Sequence, residues 1–115
     1  YQVNHHGLDS SNNPVMINSL APTVSVMNNG HTKGCNAGSF AALKSSKSIQ
    51  AMWQVHKNLR KDSANNTSDK FIANLTERDG CKGHYLKLSV AENGKSYTIY
   101  NPRNDRKVTY KTKNK

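Results

Sequence analysis

Apolar residues in the first half of the chain recur in short groups whose spacing alternates between that of helices and that of strands. Helical spacing occurs at 14–20 and at 37–44. Asn13 and Pro14 mark the start of the first helix, because Asn caps helices and Pro suits their first turn. Residues 23–27 form a short apolar run that is typical of a buried strand. With a strand end at 1–4 and a strand at 48–56, the predicted order is β-α-β-α-β.

The segment 48–56 alternates between apolar and polar side chains. Ala51 and Trp53 fall on one face of a strand, whereas Gln54 and His56 fall on the other. This period of two predicts a half-buried strand with Trp53 in the core and His56 at the strand end on its polar face.

The last third of the chain predicts a three-stranded β-meander over 84–90, 96–101 and 107–112. Its first turn contains Asn93-Gly94, a strong hairpin signal, and its second spans 102–105. The polar stretch 57–69 is interpreted as a surface loop, and the short apolar segment 71–75 fits either secondary structure.

Composition adds a strong positive charge to this picture. The chain has 115 residues with 17 Lys+Arg against 7 Asp+Glu, a net charge of +10. Such a surplus suggests nucleic acid or another polyanion as partner or substrate, although a solvated basic surface explains it equally well. Residues 103–115 contribute much of it. No apolar run approaches the roughly 20 residues that a membrane-spanning helix needs.

The two cysteines, Cys35 and Cys81, could form one disulfide or remain free thiols. Neither belongs to a CxxC pair, which argues against a zinc ribbon or a redox motif. The cysteines and the absence of an initial Met predict a processed or truncated, exported bacterial protein, periplasmic or extracellular.

The run VNHHGLDSS at 3–11 carries the candidate chemistry. His5 and His6 follow a strand end and precede Gly7, which permits a sharp turn. Neutral imidazole is a common zinc ligand, and loops at the ends of strands are where α/β folds place active sites. The tripeptide alone has little specificity, because paired surface histidines are common.

The wider order of motifs resembles the final third of metallo-β-lactamase-fold hydrolases of the DNA-uptake competence-protein type. The first matches are HHG at 5–7, Ser10-Ser11, Pro22, VSV at 24–26 and NNG at 28–30. A narrower bacterial subgroup is matched by KG at 33–34, WQVH at 53–56, FIAN at 71–74 and YTIYN at 97–101. The resemblance therefore covers nearly the whole chain.

This resemblance implies an α/β fold that is the C-terminal half of a metallo-β-lactamase αββα sandwich. Residues 1–115 would form a single partial domain, with a core half at 1–56, a loop-rich connection at 57–82 and a C-terminal β-meander at 83–115. It also implies a two-metal, zinc-type hydrolase with His5 and His6 at the metal. His5 is the favoured ligand, and His6 is then a supporting or substrate-facing group.

The resemblance further places His31, Lys33 and His56 near an anionic substrate. The family's His-x-His-x-Asp-His motif does not occur in the sequence. The chain is therefore expected to be inactive alone. Its partner would be the N-terminal half of the same fold, as a second chain or as a missing segment.

Three other functions stay open. A small basic ribonuclease or toxin domain would use His5, His6, His31 or His84 as acid and base. A papain-like enzyme would use Cys35, His84 and Asn101 in that chain order. A non-catalytic module would bind nucleic acid or another polyanion through its basic surface.

Overall fold

A computed structural model describes residues 1–62 and 64–113. It contains two three-stranded sheets, a parallel one of order β1-β2-β3 and an antiparallel one of order β4-β5-β6. Residues 114 and 115 of the basic C-terminal stretch lie outside the described residues. The elements are α1 Pro14–Leu20, β1 Val24–Met27, α2 Ala37–Ser45, β2 Ala51–His56, β3 Ile72–Asn74, β4 Lys87–Val90, β5 Ser96–Asn101 and β6 Arg106–Lys111.

Helix α1 begins and ends as its sequence predicts. The side chain of Asn13 accepts a hydrogen bond from the Val15 N–H, and Pro14 occupies the first turn. Ala21 ends the helix in the left-handed conformation, with its N–H bonded to the Ile17 carbonyl. Pro22 then cannot continue the helix, so the chain passes directly into β1.

The predicted first strand is reduced to an isolated parallel bridge between Gln2 and Val26. The Val3 N–H donates to the Val26 carbonyl at 2.9 Å, and the Val26 N–H donates to the Tyr1 carbonyl at 2.9 Å. The segment that leads into the histidine pair is therefore attached to the edge of β1.

The helices and the two sheets form three layers. Ile17, Met27 and Leu43 belong to a buried cluster between the helices and the parallel sheet. Trp53 and Ile99 belong to a second cluster, between the parallel sheet and the meander. The predicted core position of Trp53 is confirmed, since its side chain is fully buried. Its indole N–H donates to the Tyr110 hydroxyl at 3.2 Å, and its ring meets the Phe71 ring edge-on.

The central strand β2 is covered on both faces. Gln54 is 1% exposed and His56 is 6% exposed, so the face predicted to be polar is polar but not solvated. A strand in the middle of a parallel sheet packs on both sides, and its polar side chains must find partners within the protein. The strand also begins at Ala51, three residues later than the alternation predicts.

The meander is confirmed, although β4 begins at Lys87 rather than at residue 84. Asn101 joins it to the parallel sheet, because its buried side-chain amide donates to the Ile72 carbonyl at 2.9 Å. The same carbonyl accepts a bond from Arg103 Nε at 2.9 Å. The mixed α/β fold with a terminal meander is thus established, while the fourth layer of an αββα sandwich is absent from the described ranges.

Two segments differ from the sequence-based interpretation. The uncertain segment 71–75 supplies β3, which pairs in parallel with β2. The polar stretch 57–69 is more than a surface loop, because Asn58 within it is fully buried. Within the described ranges, no helix is long and apolar enough to cross a bilayer.

Candidate functional site

The candidate site lies where the parallel strands end. Strands β1 and β2 run in the same direction, so the loop 28–35 after β1 and the segment after His56 leave the sheet at one edge. Parallel α/β sheets place ligand sites at this edge. The loop 28–35 contacts the turn that carries His6 on one side and the end of β2 on the other.

The turn Asn4–Gly7 holds its histidines in an uncommon backbone conformation. The φ angles are 46° at His5, 59° at His6 and 85° at Gly7. Non-glycine residues rarely adopt positive φ, and such residues persist where the surrounding structure fixes them. Here the Cys35 N–H donates to the His6 carbonyl and the Asn36 N–H donates to the Gly7 carbonyl, each at 2.9 Å.

Gly34 permits this close approach. A Cβ atom at Gly34 would lie 1.9 Å from the carbonyl oxygen of His6, and the φ of Gly34 is +77°. Both the contact and the backbone angle therefore require glycine. The turn that carries His6 and the loop that carries His31 are consequently packed backbone against backbone.

The two adjacent histidines have different environments. His6 is half-buried and its Nδ1 lies 2.6 Å from the Asn28 carbonyl oxygen. A carbonyl only accepts hydrogen bonds, so this Nδ1 carries the proton and the Nε2 of a neutral His6 presents a lone pair. His5 is exposed, and its ring centroid lies 5.9 Å from that of His6.

His56 is arranged in the same way at the end of β2. Its Nδ1 lies 2.8 Å from the Lys57 carbonyl oxygen, which assigns the proton to Nδ1. Its Nε2 is buried and has no hydrogen-bond partner among the described residues. The ring of His31 lies beside it, with 5.5 Å between the centroids. A buried polar atom without a partner is uncommon and often marks a functional position.

Asn29 connects the loop to β2. Its buried side-chain amide donates to the His56 carbonyl at 2.7 Å and to the Gly30 carbonyl at 3.1 Å. His31 is half-buried and Lys33 is exposed, so the structure brings His31 to His56 and leaves Lys33 at the surface.

Arg60 holds the far side of the same loop. Its guanidinium donates to the Gly34 carbonyl at 2.6 Å, to the Thr32 carbonyl at 3.2 Å and to the Cys35 carbonyl at 3.3 Å. It also forms two hydrogen bonds of 3.0 Å with the Asp62 carboxylate. These bonds, together with the side-chain amides of Asn58 and Asn65, hold the pKa of Asp62 below its usual value. Arg60 is a position that the sequence analysis did not identify.

Buried amides complete the support of the site. Gln54 Nε2 donates to the His56 carbonyl at 3.2 Å and to Asn66 Oδ1 at 3.0 Å. Asn66 in turn accepts the Asn58 N–H at 2.7 Å and donates to the Asn58 carbonyl at 2.9 Å. A run of asparagines resembles an ordinary polar loop, so the sequence carried no signal for this role.

The DSS part of the histidine motif is structural. The Asp9 carboxylate accepts the Ser39 N–H at 2.7 Å, which caps the first turn of α2. Nearby, Asn12 is 2% exposed and donates to the Asn4 and Leu8 carbonyls at 3.0 and 2.7 Å. These bonds fix both ends of the histidine turn.

The papain-like alternative has no support in the geometry. Cys35 is fully buried, and burial raises the pKa of its thiol to about 12, so the thiolate is scarce at neutral pH. Both cysteines are free thiols, which rules out the Cys35–Cys81 disulfide in this structure. The Asn101 side chain is already occupied, because its amide donates to the Ile72 carbonyl and its Oδ1 accepts the Arg103 N–H.

The histidines supply an incomplete metal-ligand set. Among residues 1–62 and 64–113, no group of three or more His, Cys, Asp or Glu side chains is arranged to hold a metal ion. The lone pairs that His6 and His56 present are nevertheless of the type that binds zinc. Comparison of the chain with protein-family models, curated proteins and solved structures finds no match.

Proposed function

We propose that this chain is the C-terminal portion of a zinc-type hydrolase of the metallo-β-lactamase fold and contributes part of its metal site. The observation that carries the proposal is the unpartnered Nε2 of buried His56 beside His31. Metal-binding histidines commonly donate their other ring N–H to a backbone carbonyl, which fixes the tautomer. His56 and His6 both do so.

The geometry favours His6 over His5 as the ligand of the pair. His6 is half-buried and oriented by the Asn28 carbonyl, whereas His5 is exposed. We therefore propose His6 and His56 as metal ligands and place His5 at the exposed edge of the site. His31 can serve either the metal or a substrate, and Lys33 is placed to attract an anionic substrate at the surface.

The remaining ligands have to come from another polypeptide segment. A catalytic zinc needs three protein ligands and an open position, and the described residues supply fewer in one place. A bound zinc would supply an activated water and polarise the bond under attack. The residues of this chain would orient their imidazoles through Asn28 and Lys57 and exclude water around His56.

An open cleft supports the view that the fold is completed by a further segment. It has a volume of about 470 Å³ and lies between β1, whose outer edge carries residues 1–3, and the edge strand β4. Leu88 and Val90 in its wall are 52% and 63% exposed. Its apolar lining comprises Val24, Val26, Leu86, Leu88, Val90 and Ile99. A complementary segment that paired with the free edge of β4 would bury this surface.

Zinc titration of the full chain tests the proposal. Competition with a chromophoric chelator should show weak binding by the chain, which His6→Ala and His56→Ala should each reduce. The loss of zinc affinity should exceed the roughly 10- to 100-fold loss that follows removal of a group that only orients a ligand. His84→Ala is the matched control and should bind like the unchanged chain. Equal zinc affinity in all four proteins would refute the assignment.

The contact between His31 and His56 favours one second candidate, a small basic ribonuclease. Two imidazoles whose centroids are 5.5 Å apart could act as a general acid and a general base. RNA cleavage that persists in excess chelator and disappears in His31→Ala would favour this candidate over the metal-dependent one.

A further inference from the structure

The meander has an outward face that is free of apolar side chains. Leu86, Leu88, Tyr97 and Ile99 point towards the parallel sheet, so the alternate residues of the strands point away from it. We call this alternate set the outer meander face. It consists of Lys87, Ser89, Ser96, Thr98, Tyr100, Lys107, Thr109 and Lys111, with Tyr85 and Asp105 at one end.

Cations and an aromatic ring lie side by side on this face. Tyr100 pairs across the sheet with Lys87 on one side and with Lys107 on the other. Neighbouring strands lie about 4.8 Å apart, so the backbones of the two lysines are separated by roughly 10 Å with the ring between them. Tyr85, two residues before Lys87 in the chain, is 57% exposed.

The rest of the face supplies hydroxyl groups. Thr98 and Thr109 form a hydroxyl pair of 2.9 Å in the next row of the sheet, and Lys111 pairs with Ser96 in the row after that. Asp105 is the one carboxylate of the outer meander face, and it accepts the Tyr100 hydroxyl at 3.1 Å. The face therefore combines three ammonium groups with hydroxyl donors and has little opposing charge.

We propose that the outer meander face binds single-stranded nucleic acid. Ammonium and hydroxyl groups donate to phosphate oxygens, and exposed tyrosines offer surfaces on which unpaired bases stack. A hydrophobic partner would find no apolar side chain to bury among the residues that define this face. The shallow depression of about 360 Å³ around Tyr100 is bordered by Lys87 and Lys107, which suits a base between two phosphates.

The shape of the face selects single strands over duplexes. A duplex major groove admits a helix or a two-stranded ribbon, whereas a three-stranded sheet is too broad to enter it. Duplex bases are also stacked on one another and unavailable to Tyr100. The same chemistry fits single-stranded DNA and RNA, which differ at the 2′-hydroxyl.

Fluorescence anisotropy with labelled oligonucleotides tests the proposal. The probes are a 15-nucleotide oligo-dT, an oligo-U of equal length and a duplex of equal length, measured in excess chelator. The test variant is Lys87→Gln/Lys107→Gln. The control is Lys44→Gln/Lys47→Gln, which removes the same charge from exposed positions on or just after α2, on the opposite side of the parallel sheet. Similar affinity for oligo-dT and oligo-U is the expected result, because phosphate contacts and base stacking occur in both single strands.

The test pair should weaken binding to both single strands on the order of ten-fold or more, with a smaller effect for the control pair. It should also reduce the salt slope of log affinity by about 1.4, because each lost phosphate contact removes about 0.7 for single strands. The proposal would be overturned if the two double variants lost equal affinity for single strands, or if the unchanged chain bound the duplex most tightly.

Tyr100 gives a separate readout of stacking. Tyr100→Ser should weaken binding about ten-fold, and Tyr100→Phe should restore it, because the ring and not the hydroxyl contacts the base. Circular dichroism of each variant checks that the meander is folded. A Tyr100→Ser protein that is folded and binds normally would refute stacking. None of these measurements involves zinc or the histidines, so the inference stands or falls independently of the proposed function.

Discussion

Replacing Gly34 by Ala tests the close contact that positions the histidine turn. The matched control is Gly94→Ala in the β4–β5 hairpin. Both glycines have positive φ, +77° at Gly34 and +67° at Gly94. A Cβ at Gly94 would have no atom within 4 Å, whereas a Cβ at Gly34 would lie 1.9 Å from the His6 carbonyl oxygen. Both substitutions therefore place alanine in a left-handed backbone conformation, but only the one at Gly34 also brings the new Cβ into collision with another atom.

The expected magnitudes follow from these two contributions. A left-handed alanine costs roughly 1–2 kcal/mol in either variant. At Gly34 the His6 carbonyl must also move away from the buried Cys35 N–H, which it accepts at 2.9 Å. Leaving that group unsatisfied costs about 1–3 kcal/mol more. Gly34→Ala should thus lower the free energy of unfolding by roughly 2–5 kcal/mol, a large part of the typical 5–15 kcal/mol of a domain.

Urea unfolding measures the difference, and the single tryptophan provides the signal. Trp53 is fully buried and its fluorescence should change on unfolding. Each kcal/mol lost lowers the urea midpoint by roughly 0.3–1 M. A Gly34→Ala protein that is no less stable than Gly94→Ala would show that the His6 carbonyl does not approach residue 34 as described.

Three further predictions concern stability and thiol reactivity. Tyr110→Phe should cost about 1–2 kcal/mol in a thermal unfolding experiment, because it leaves the indole N–H of Trp53 buried and unpaired; an unchanged melting temperature would contradict this. The folded pKa of Asp62 is depressed, so its ion pair stabilises the fold above the unfolded pKa of about 3.9 and loses this contribution as the pH falls below it. The free energy of unfolding of the Asp62→Asn variant should therefore fall less than that of the unchanged chain between pH 5 and pH 3. Equal falls in the two proteins would count against the ion pair. With its pKa raised to about 12, Cys35 should not react with a thiol reagent at pH 8 until the protein unfolds, whereas the partly exposed Cys81 should react in the native state.

The sequence predicted those elements whose ends are marked by local chemistry. Asn13-Pro14 fixes the start of α1, and Asn93-Gly94 fixes the first turn of the meander. Trp53 was placed in the core by the alternation of β2, and it is fully buried. These signals depend on residues that are close together in the chain, which is why a single sequence reveals them.

The parts that were missed depend on distant contacts. Strand β3 has three residues, too few to show a period, and it is defined by its pairing with β2. Gln54 and Asn58 are polar residues that the structure buries, because the layers above and below β2 and the 57–69 connection close over them. Only tertiary packing decides whether a polar side chain forms its hydrogen bonds with water or with other groups of the protein.

The sequence named candidate histidines for the site but neither their roles nor their arrangement. His6, His31 and His56 were all named from the sequence, yet their tautomers depend on the carbonyls of Asn28 and Lys57, which no side-chain pattern encodes. The guanidinium that holds the loop was missed for the same reason, since its acceptors are backbone oxygens.

The amide that joins the loop to β2 has a consequence for how the protein ages. Asn29 is followed by Gly30, and hydrolysis of its side chain would replace an N–H donor by an oxygen that faces the His56 carbonyl at 2.7 Å. Two acceptors would then meet in a buried place, and a negative charge would enter beside the histidines. Hydrolysis of this one amide would therefore separate the loop from β2 and disturb the candidate site, while both buried clusters of the fold stayed intact.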